Sequence, residues 1–295
     1  MLTTDEIKEV IQTQPPQGVI ISESGKEIFR NPPLSRRFLV HSVAKSVTAL
    51  GVGFAIQEGL LDPEETLAGA FPDKVSLAVS RIEAARGSEA SRKQSERLKQ
   101  VRLRHLLSHT SGFQYNFLTG FQRPYLKDDD WLTQCLSNPV TSGPGEDFLY
   151  CDAGYYLIAK LLRRRAGLCL TEYLLPRLFE PLQIRYPTWE VDPDGDMIGC
   201  GGLLMNLDEL HKLGLLCLNR GKADGRRVVP EEWIMTVTDR KVSLAEGCGY
   251  GYGFWTAPDY CCMFGYGGVY SIISYSQSLV ITADGLDLPF PAQFS

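Results

Sequence analysis

The stretch His41–Asp62, HSVAKSVTALGVGFAIQEGLLD, decides how the rest of the chain is read. Val43, Val47, Leu50 and Phe54 recur at helical spacing, and Gly59 is a stop signal. Ser42 and Lys45 stand three apart at the start of this helix, so both side chains fall on one face within a turn. Two readings follow. The pair is a nucleophile with its base, or it is the polar first turn of a buried helix whose lysine is exposed. A serine becomes nucleophilic only when a base takes its proton. A lysine serves as that base only where burial or a nearby cation lowers its pKa. The apolar flanks Val43, Ala44 and Val47 suit burial, and a helix start offers backbone N–H groups to a developing oxyanion. Ser-x-x-Lys also arises by chance about once in a chain of this composition, so the motif needs context.

Outward from it, Gly18–Arg30 reads as a β-hairpin broken at Ser24-Gly25. Leu60–Leu67 reads as the start of a further helix with Pro63 in its first turn. From there to about Trp189 the pattern is mainly helical. GYYLIAKLLRRRAG is an amphipathic helix with a glycine stop, and TEYLLPRLFEPLQI is a helix interrupted by Pro176 and Pro181. Leu207–Asn219 and PEEWIMTVT are helical, separated by the turn RGKADGRR. After Gly249 the chain becomes aromatic and β-branched with glycine and serine turns, a run of antiparallel strands. The economical arrangement is α+β: an antiparallel sheet drawn from both chain ends and flanked by helices, with a mainly helical domain inserted. This expectation divides the chain into a discontinuous sheet domain, 1–62 with 190–295, and a helical domain, 63–189, with the active site at their interface.

The bulk properties narrow the function. A chain of 295 residues, 44% hydrophobic and 22% charged, can bury a sizeable core. A net charge of −5 gives no basic footprint for nucleic acid. The basic segment Arg81–Arg104 reads as a solvated helical face, and 75–100 as a surface helix or a lid. There is no signal-peptide pattern and no apolar run long enough to span a membrane, so a cytoplasmic location and no membrane partner are expected. The eight cysteines form no CxxC pair and read as reduced, mostly small core residues, with Cys151 set apart by its neighbours. His105 and His109 are four apart, but no glutamate follows in a metalloprotease pattern, so no metal is expected. His41 is expected to point away from Ser42, and His211 to lie on a helix surface.

Three further stretches supply the context: VRLRHLLSHTSGF at 101–113, GPGEDFLYCDAGYYLIAKLL at 143–162, and FGYGGVYSIISYSQSLVITAD at 264–284. With the nucleophile stretch, they resemble in kind and order the landmarks of the serine β-lactamase and penicillin-recognising hydrolases of the class C type. That group includes DD-peptidases and family VIII carboxylesterases. The resemblance runs from about Gly18 to Asp284. It implies Ser42 as the acylated nucleophile, Lys45 as proton acceptor or shuttle, and Tyr150 as general base and then acid. It implies an oxyanion hole from the backbone N–H groups of Ser42 and Val269, no cofactor, and a small-molecule ester, amide or peptide as substrate. Asp152, Tyr266, Gly267 and Gly268 would line the substrate, and "SHTSG" would hold a structural histidine.

Two positions depart from the family pattern. Asp152 stands where asparagine is usual, and Tyr266 where lysine or histidine is usual. β-Lactams and D-Ala peptides carry a carboxylate beside the scissile bond. A phenol attracts it less than a cation does, and an ionised Asp152 repels it, by on the order of one to a few kcal/mol at close range. The expectation is a serine hydrolase of neutral esters or amides with weak β-lactamase activity. Open alternatives are a D-amino-acid peptidase or DD-carboxypeptidase, a true β-lactamase, or a non-catalytic penicillin-binding or sensing module. Asp152 could instead cap the following helix and Tyr266 could simply pack. Gln114, Tyr115, Asn116 and Trp255 are candidate pocket walls. Oligomeric state is not legible.

Overall fold

The computed structural model describes residues 4–13, 15–31, 36–185 and 187–286. The extreme ends of the expected sheet domain, and part of the segment read for a leader, lie outside the described residues. The chain forms two units. One takes the chain up to Gly53, Leu174–Trp189 and the part from Gly202 onward; the other takes Phe54–Tyr173 and Glu190–Gly201.

The first unit is built on an eight-stranded sheet. Its strands run in the spatial order Lys26–Asn31, Gly18–Glu23, Leu279–Asp284, Val269–Ser274, Cys261–Gly265, Trp255–Thr256, Gly249–Tyr250, Val242–Ser243. The N-terminal hairpin turns at Ser24 and Gly25, both with positive φ, as a two-residue turn between twisted strands requires. Its inner strand pairs antiparallel with the last strand, Gly18 against Asp284 through Glu23 against Leu279, so the two chain ends share one sheet. Val269–Ser274 and Leu279–Asp284 are buried at every position, which requires cover on both faces. The helix Leu207–Leu218 covers part of one face. A Cβ at its Gly214 would lie 2.3 Å from Ser271 Oγ and 2.7 Å from Val280 Cγ1, so only glycine permits this approach.

That helix carries a correction. His211 is not a surface residue: it is 5% exposed, with Nε2 2.8 Å from Ser22 Oγ and Nδ1 2.9 Å from Thr282 Oγ1. The sheet hydroxyls satisfy both ring nitrogens, which makes burial affordable. The RGKADGRR turn is a small hairpin, Lys222–Ala223 against Arg226–Arg227.

In the second unit, the expected helix from Pro63 does not form. The Asp62 carboxylate accepts the Glu64 N–H at 2.8 Å in a local turn, and the helix waits until Leu67–Ala70 with Thr66 as its cap. The segment read as one surface helix or lid is two helices, Pro72–Arg86 and Ser88–Leu98, separated by Gly87 at φ +88°. Its face is not wholly solvated. Gln94 is buried, and its side chain donates to Leu136 O and Asn138 O and accepts from Val140 N–H, each at 2.9 Å.

The helix Asp152–Ala166 stops at Gly167, φ +70°, as read. It is central rather than amphipathic: Ala153–Leu162 are all buried. Lys160 is tolerated there because Asp192, Asp194 and Asp196 accept from its ammonium at 2.9, 3.0 and 2.7 Å. Burial alone would lower the lysine's pKa, but the hydrogen bonds from the three carboxylates outweigh it and hold the pKa above its ordinary value. In TEYLLPRLFEPLQI, the helix Leu170–Leu174 opens into a wide turn at Leu175–Phe179, where Pro176 removes a donor. All eight cysteines are free thiols, and all but Cys169 are buried. Among the described residues no helix is long and apolar enough to cross a membrane.

Candidate active site

In the first unit, the strand Phe38–Leu39 leads into Val40, His41 and Ser42, then the helix Val43–Gln57. Val43, Ala44 and Lys45 N–H groups close onto the carbonyls of Val40, His41 and Ser42 at 3.0–3.1 Å, which starts the helix tightly at Ser42. His41 adopts φ +48°, a left-handed conformation at a non-glycine residue directly before the serine. Lys45 has no exposed surface, and its Nζ lies 3.1 Å from Ser42 Oγ. The lysine is therefore not the exposed residue of an ordinary capped helix.

The helix is held from outside. Trp233 Nε1 donates to Ala49 O at 2.9 Å, and Ser46 Oγ donates to Gly253 O. Gly253, at φ +79°, sits where a Cβ would lie 2.9 Å from Lys45 O. Close backbone approach thus fixes the turn that carries Lys45.

The turn Tyr266-Gly267-Gly268 joins the strands Cys261–Gly265 and Val269–Ser274. It reaches the serine segment because Gly265 packs against it: a Cβ there would lie 2.4 Å from Val40 O and 3.3 Å from His41 Cβ. Gly267 and Gly268 take φ of +79° and +75°. Tyr266 does not pack; it is 71% exposed, with its ring edge-to-face against His41 at 5.8 Å. The His41 ring thus faces Tyr266. Burial pushes its pKa down, against the pull of Asp284. Val269 is buried at the start of its strand. Trp255 is a packing residue, 7% exposed and edge-on to Tyr250 at 5.0 Å.

In the second unit, the "SHTSG" stretch cradles Tyr150. His109, at φ +57°, accepts the Cys151 N–H at Nδ1 (3.2 Å), and its ring lies 4.3 Å from the Tyr150 ring. Tyr155 OH ties the following helix back to Leu107 O at 2.8 Å. Cys151, not Asp152, occupies the cap position, and Asp152 is the first helical residue. The Asp152 and Ala153 N–H groups donate to Asn116 Oδ1 (2.8 Å) and Phe117 O (2.9 Å), so the loop after "HTSG" satisfies the helix start. A carboxylate at this helical position is favoured by the N-terminal dipole. Burial raises the Cys151 thiol's pKa, which leaves it an inert packing group.

One feature was not legible from the sequence. Arg123 forks onto Glu190 with two 2.8 Å bonds, and its Nη1 donates to Leu118 O at 2.9 Å. The partners are 67 residues apart, and no local pattern marks either.

The beta-lactamase family profile matches residues 18–284. Monacolin J acid methylbutanoyltransferase from Aspergillus terreus is 30% identical over 192 residues, 63% of this chain and 42% of that protein. The 6-aminohexanoate-dimer hydrolase from Paenarthrobacter ureafaciens is 28% identical over 260 residues, 82% of this chain and 62% of that protein. The chain thus spans about two fifths to three fifths of the length of these curated relatives. The structure of a putative beta-lactamase from Bacteroides dorei superposes with a TM-score of 0.72 at 18% identity, over 95% of this chain and 89% of that one. The fold matches, and the four sequence landmarks fall inside the region the profile covers: the chain belongs to the beta-lactamase family.

Proposed function

We propose that the chain is a serine hydrolase that works through an acyl-enzyme on Ser42 and prefers neutral esters or amides to anionic β-lactams. The observation that carries this reading is the buried Lys45, with its Nζ 3.1 Å from Ser42 Oγ. A hydroxyl beside a desolvated amine is a nucleophile beside its base.

In this mechanism Lys45, with Tyr150 as the family resemblance implies, forms the proton-transfer unit. That unit takes the Ser42 proton as Oγ attacks the carbonyl carbon. The Ser42 and Val269 N–H groups hold the oxyanion. The proton then passes to the leaving oxygen or nitrogen as its bond to carbon breaks. Water enters, gives up a proton to the same unit and releases the acid, regenerating Ser42. Tyr266 and Asp152 supply no cation for a substrate carboxylate, which supports the neutral preference.

A short-chain p-nitrophenyl ester compared with a chromogenic cephalosporin tests the reading. Turnover of the ester, its loss in Ser42→Ala, and slow turnover of the cephalosporin are expected. Cephalosporin turnover with kcat/KM above roughly 10⁴ M⁻¹s⁻¹ would overturn the preference.

The methylbutanoyltransferase relative supports a second outcome of the same chemistry, in which an alcohol rather than water receives the acyl group. A rise in product ester when a small alcohol is added to the assay distinguishes the two.

A further inference from the structure

We propose that the first unit carries a second ligand site, a pocket at the root of the strand Cys261–Gly265 that binds a small zwitterion, namely a free amino acid with an apolar side chain.

The pocket encloses about 460 Å³, a size usual for small-molecule sites. Its walls are the end of the helix Glu231–Thr238 with Asp239 and Arg240, the 257–260 turn that follows the strand Trp255–Thr256, and Tyr275. All of these belong to the first unit. The segment before Ser42 meets the strand Cys261–Gly265 at its other end, where Gly265 packs on Val40 and His41. Cys261 and Gly265 are roughly 13 Å apart at about 3.3 Å per residue, so the pocket is not part of the serine site.

The walls are held in place. The Ala257 N–H donates to Tyr260 O at 2.8 Å and closes the turn, and the buried Ser274 donates from Oγ to Asp259 O at 3.0 Å. The Arg240 stem lies on Gly249, where a Cβ would come within 2.6 Å of Arg240 Cγ. Tyr275 OH donates to Cys217 O at 3.1 Å and fixes the aromatic wall. Burial pushes the Tyr260 and Tyr275 phenols up, so both stay neutral.

Three polar groups here are left unsatisfied. Thr256, 4% exposed, has a buried hydroxyl with no hydrogen-bond partner among the described residues. Buried hydroxyls are normally satisfied, so an orphan in the floor of a cavity points to a group supplied from outside the chain. The Arg240 guanidinium and the Asp259 carboxylate both line the cavity, yet they pair neither with each other nor, among the described residues, with another charged side chain. Asp239 is already held by Lys241 at 3.0 Å.

These charges choose the ligand. A simple anion would meet Arg240 but also Asp259, and a simple cation the reverse. A molecule with both charges satisfies both: its carboxylate takes the planar fork of Arg240, and its ammonium takes Asp259. Thr256 adds a hydroxyl from the floor, and Pro258, Tyr260 and Tyr275 offer apolar surface to the ligand's side chain.

The test is calorimetric titration of the full chain with L-phenylalanine and L-leucine, in wild type and in Ser42→Ala. N-acetyl-L-phenylalanine, which keeps only the carboxylate, and L-phenylalanine amide, which keeps only the ammonium, are titrated into Ser42→Ala. Saturable one-to-one binding of both amino acids is expected, equal in wild type and Ser42→Ala. It should weaken roughly tenfold or more for each capped form, and likewise in Arg240→Gln and Asp259→Asn. Both substitutions alter exposed side chains, so the thermal midpoint without ligand should stay near wild type. No saturation by either amino acid up to about 50 mM overturns the proposal. So does a capped form that binds as well as the free amino acid, or an affinity unchanged in either charge variant. Binding lost in Ser42→Ala would move the ligand to the serine site and overturn it too. The readout does not use the Ser42 reaction, so this site and the acyl-transfer reading stand or fall separately.

Discussion

His109 accepts the Cys151 backbone N–H at Nδ1, 3.2 Å away, while its ring lies 4.3 Å from that of Tyr150. One side chain therefore fixes both the main chain after the proposed base and the aromatic plane that carries its hydroxyl. On the proposed mechanism, His109 is a positioning residue for Tyr150 and not a substrate contact. His109→Ala is expected to lower kcat roughly 10- to 100-fold with little change in KM, because a shift of about 1 Å in a reacting group costs that much. His109→Asn, whose amide oxygen can accept the same N–H, should recover part of the loss. Steady-state kinetics on both variants check this; equal loss in both, or a change in KM alone, would contradict it.

Lys45→Met is expected to reduce kcat at least about 10³-fold, as loss of a base paired to its nucleophile does in other serine enzymes. The methionine fills the buried space, so the thermal midpoint should move little. Near-normal turnover in a folded Lys45→Met would assign the proton to another group.

Tyr266→Lys should restore a cation on the exposed turn beside His41. The selectivity for a carboxylate-bearing substrate over its methyl ester is expected to rise about tenfold, and the gain should shrink with added salt. An unchanged selectivity would place the substrate carboxylate elsewhere.

His211 makes stability depend on pH. Burial chiefly, against the pull of Glu27, lowers its pKa from 6.5 to about 4 in the folded chain. Between those values the unfolded chain binds the proton and the folded chain does not, so stability falls as pH drops from about 6.5 to about 4 and is fully present above 6.5. The loss from this group is on the order of 3 kcal/mol. His105, lowered to about 4 mainly by burial and then by Arg104 and Arg102, acts in the same direction. Urea unfolding at several pH values should show a shallower acid slope in His211→Gln than in wild type. An identical slope would contradict the assignment.

Lys160→Met removes the ammonium held by Asp192, Asp194 and Asp196, leaving Asp192, 1% exposed at its side chain, without its cation. A loss of about 3–5 kcal/mol is expected. Asp192→Asn in the same background should return part of it, which a double-mutant cycle by chemical denaturation measures.

Much of this was legible because it is local. Period-two and period-3.6 patterns marked the hairpin at Ser24-Gly25, the helix after Ser42 and the glycine stop at Gly167. The Ser-x-x-Lys spacing singled out Ser42 and Lys45 as candidates, and the resemblance to the family added Tyr150 and the glycine turn at 267–268. What escaped depends on partners distant in sequence. His211 reads as a surface residue until Ser22 and Thr282, from opposite ends of the chain, satisfy its ring. Lys160 made its helix look amphipathic because the aspartates that neutralise it lie 32 to 36 residues on. The false helix at Pro63 had the right composition, but Asp62 offers the backbone a competing turn. Arg123 and Glu190 had no local sign at all.

The central claim is that Ser42 becomes acylated, and it is tested most directly by intact and peptide mass spectrometry of the native protein after reaction with a fluorophosphonate. The account predicts one adduct, located on Ser42, and its loss in Lys45→Met. Native, folded protein that carries no adduct on Ser42, or carries it on another residue, would contradict it.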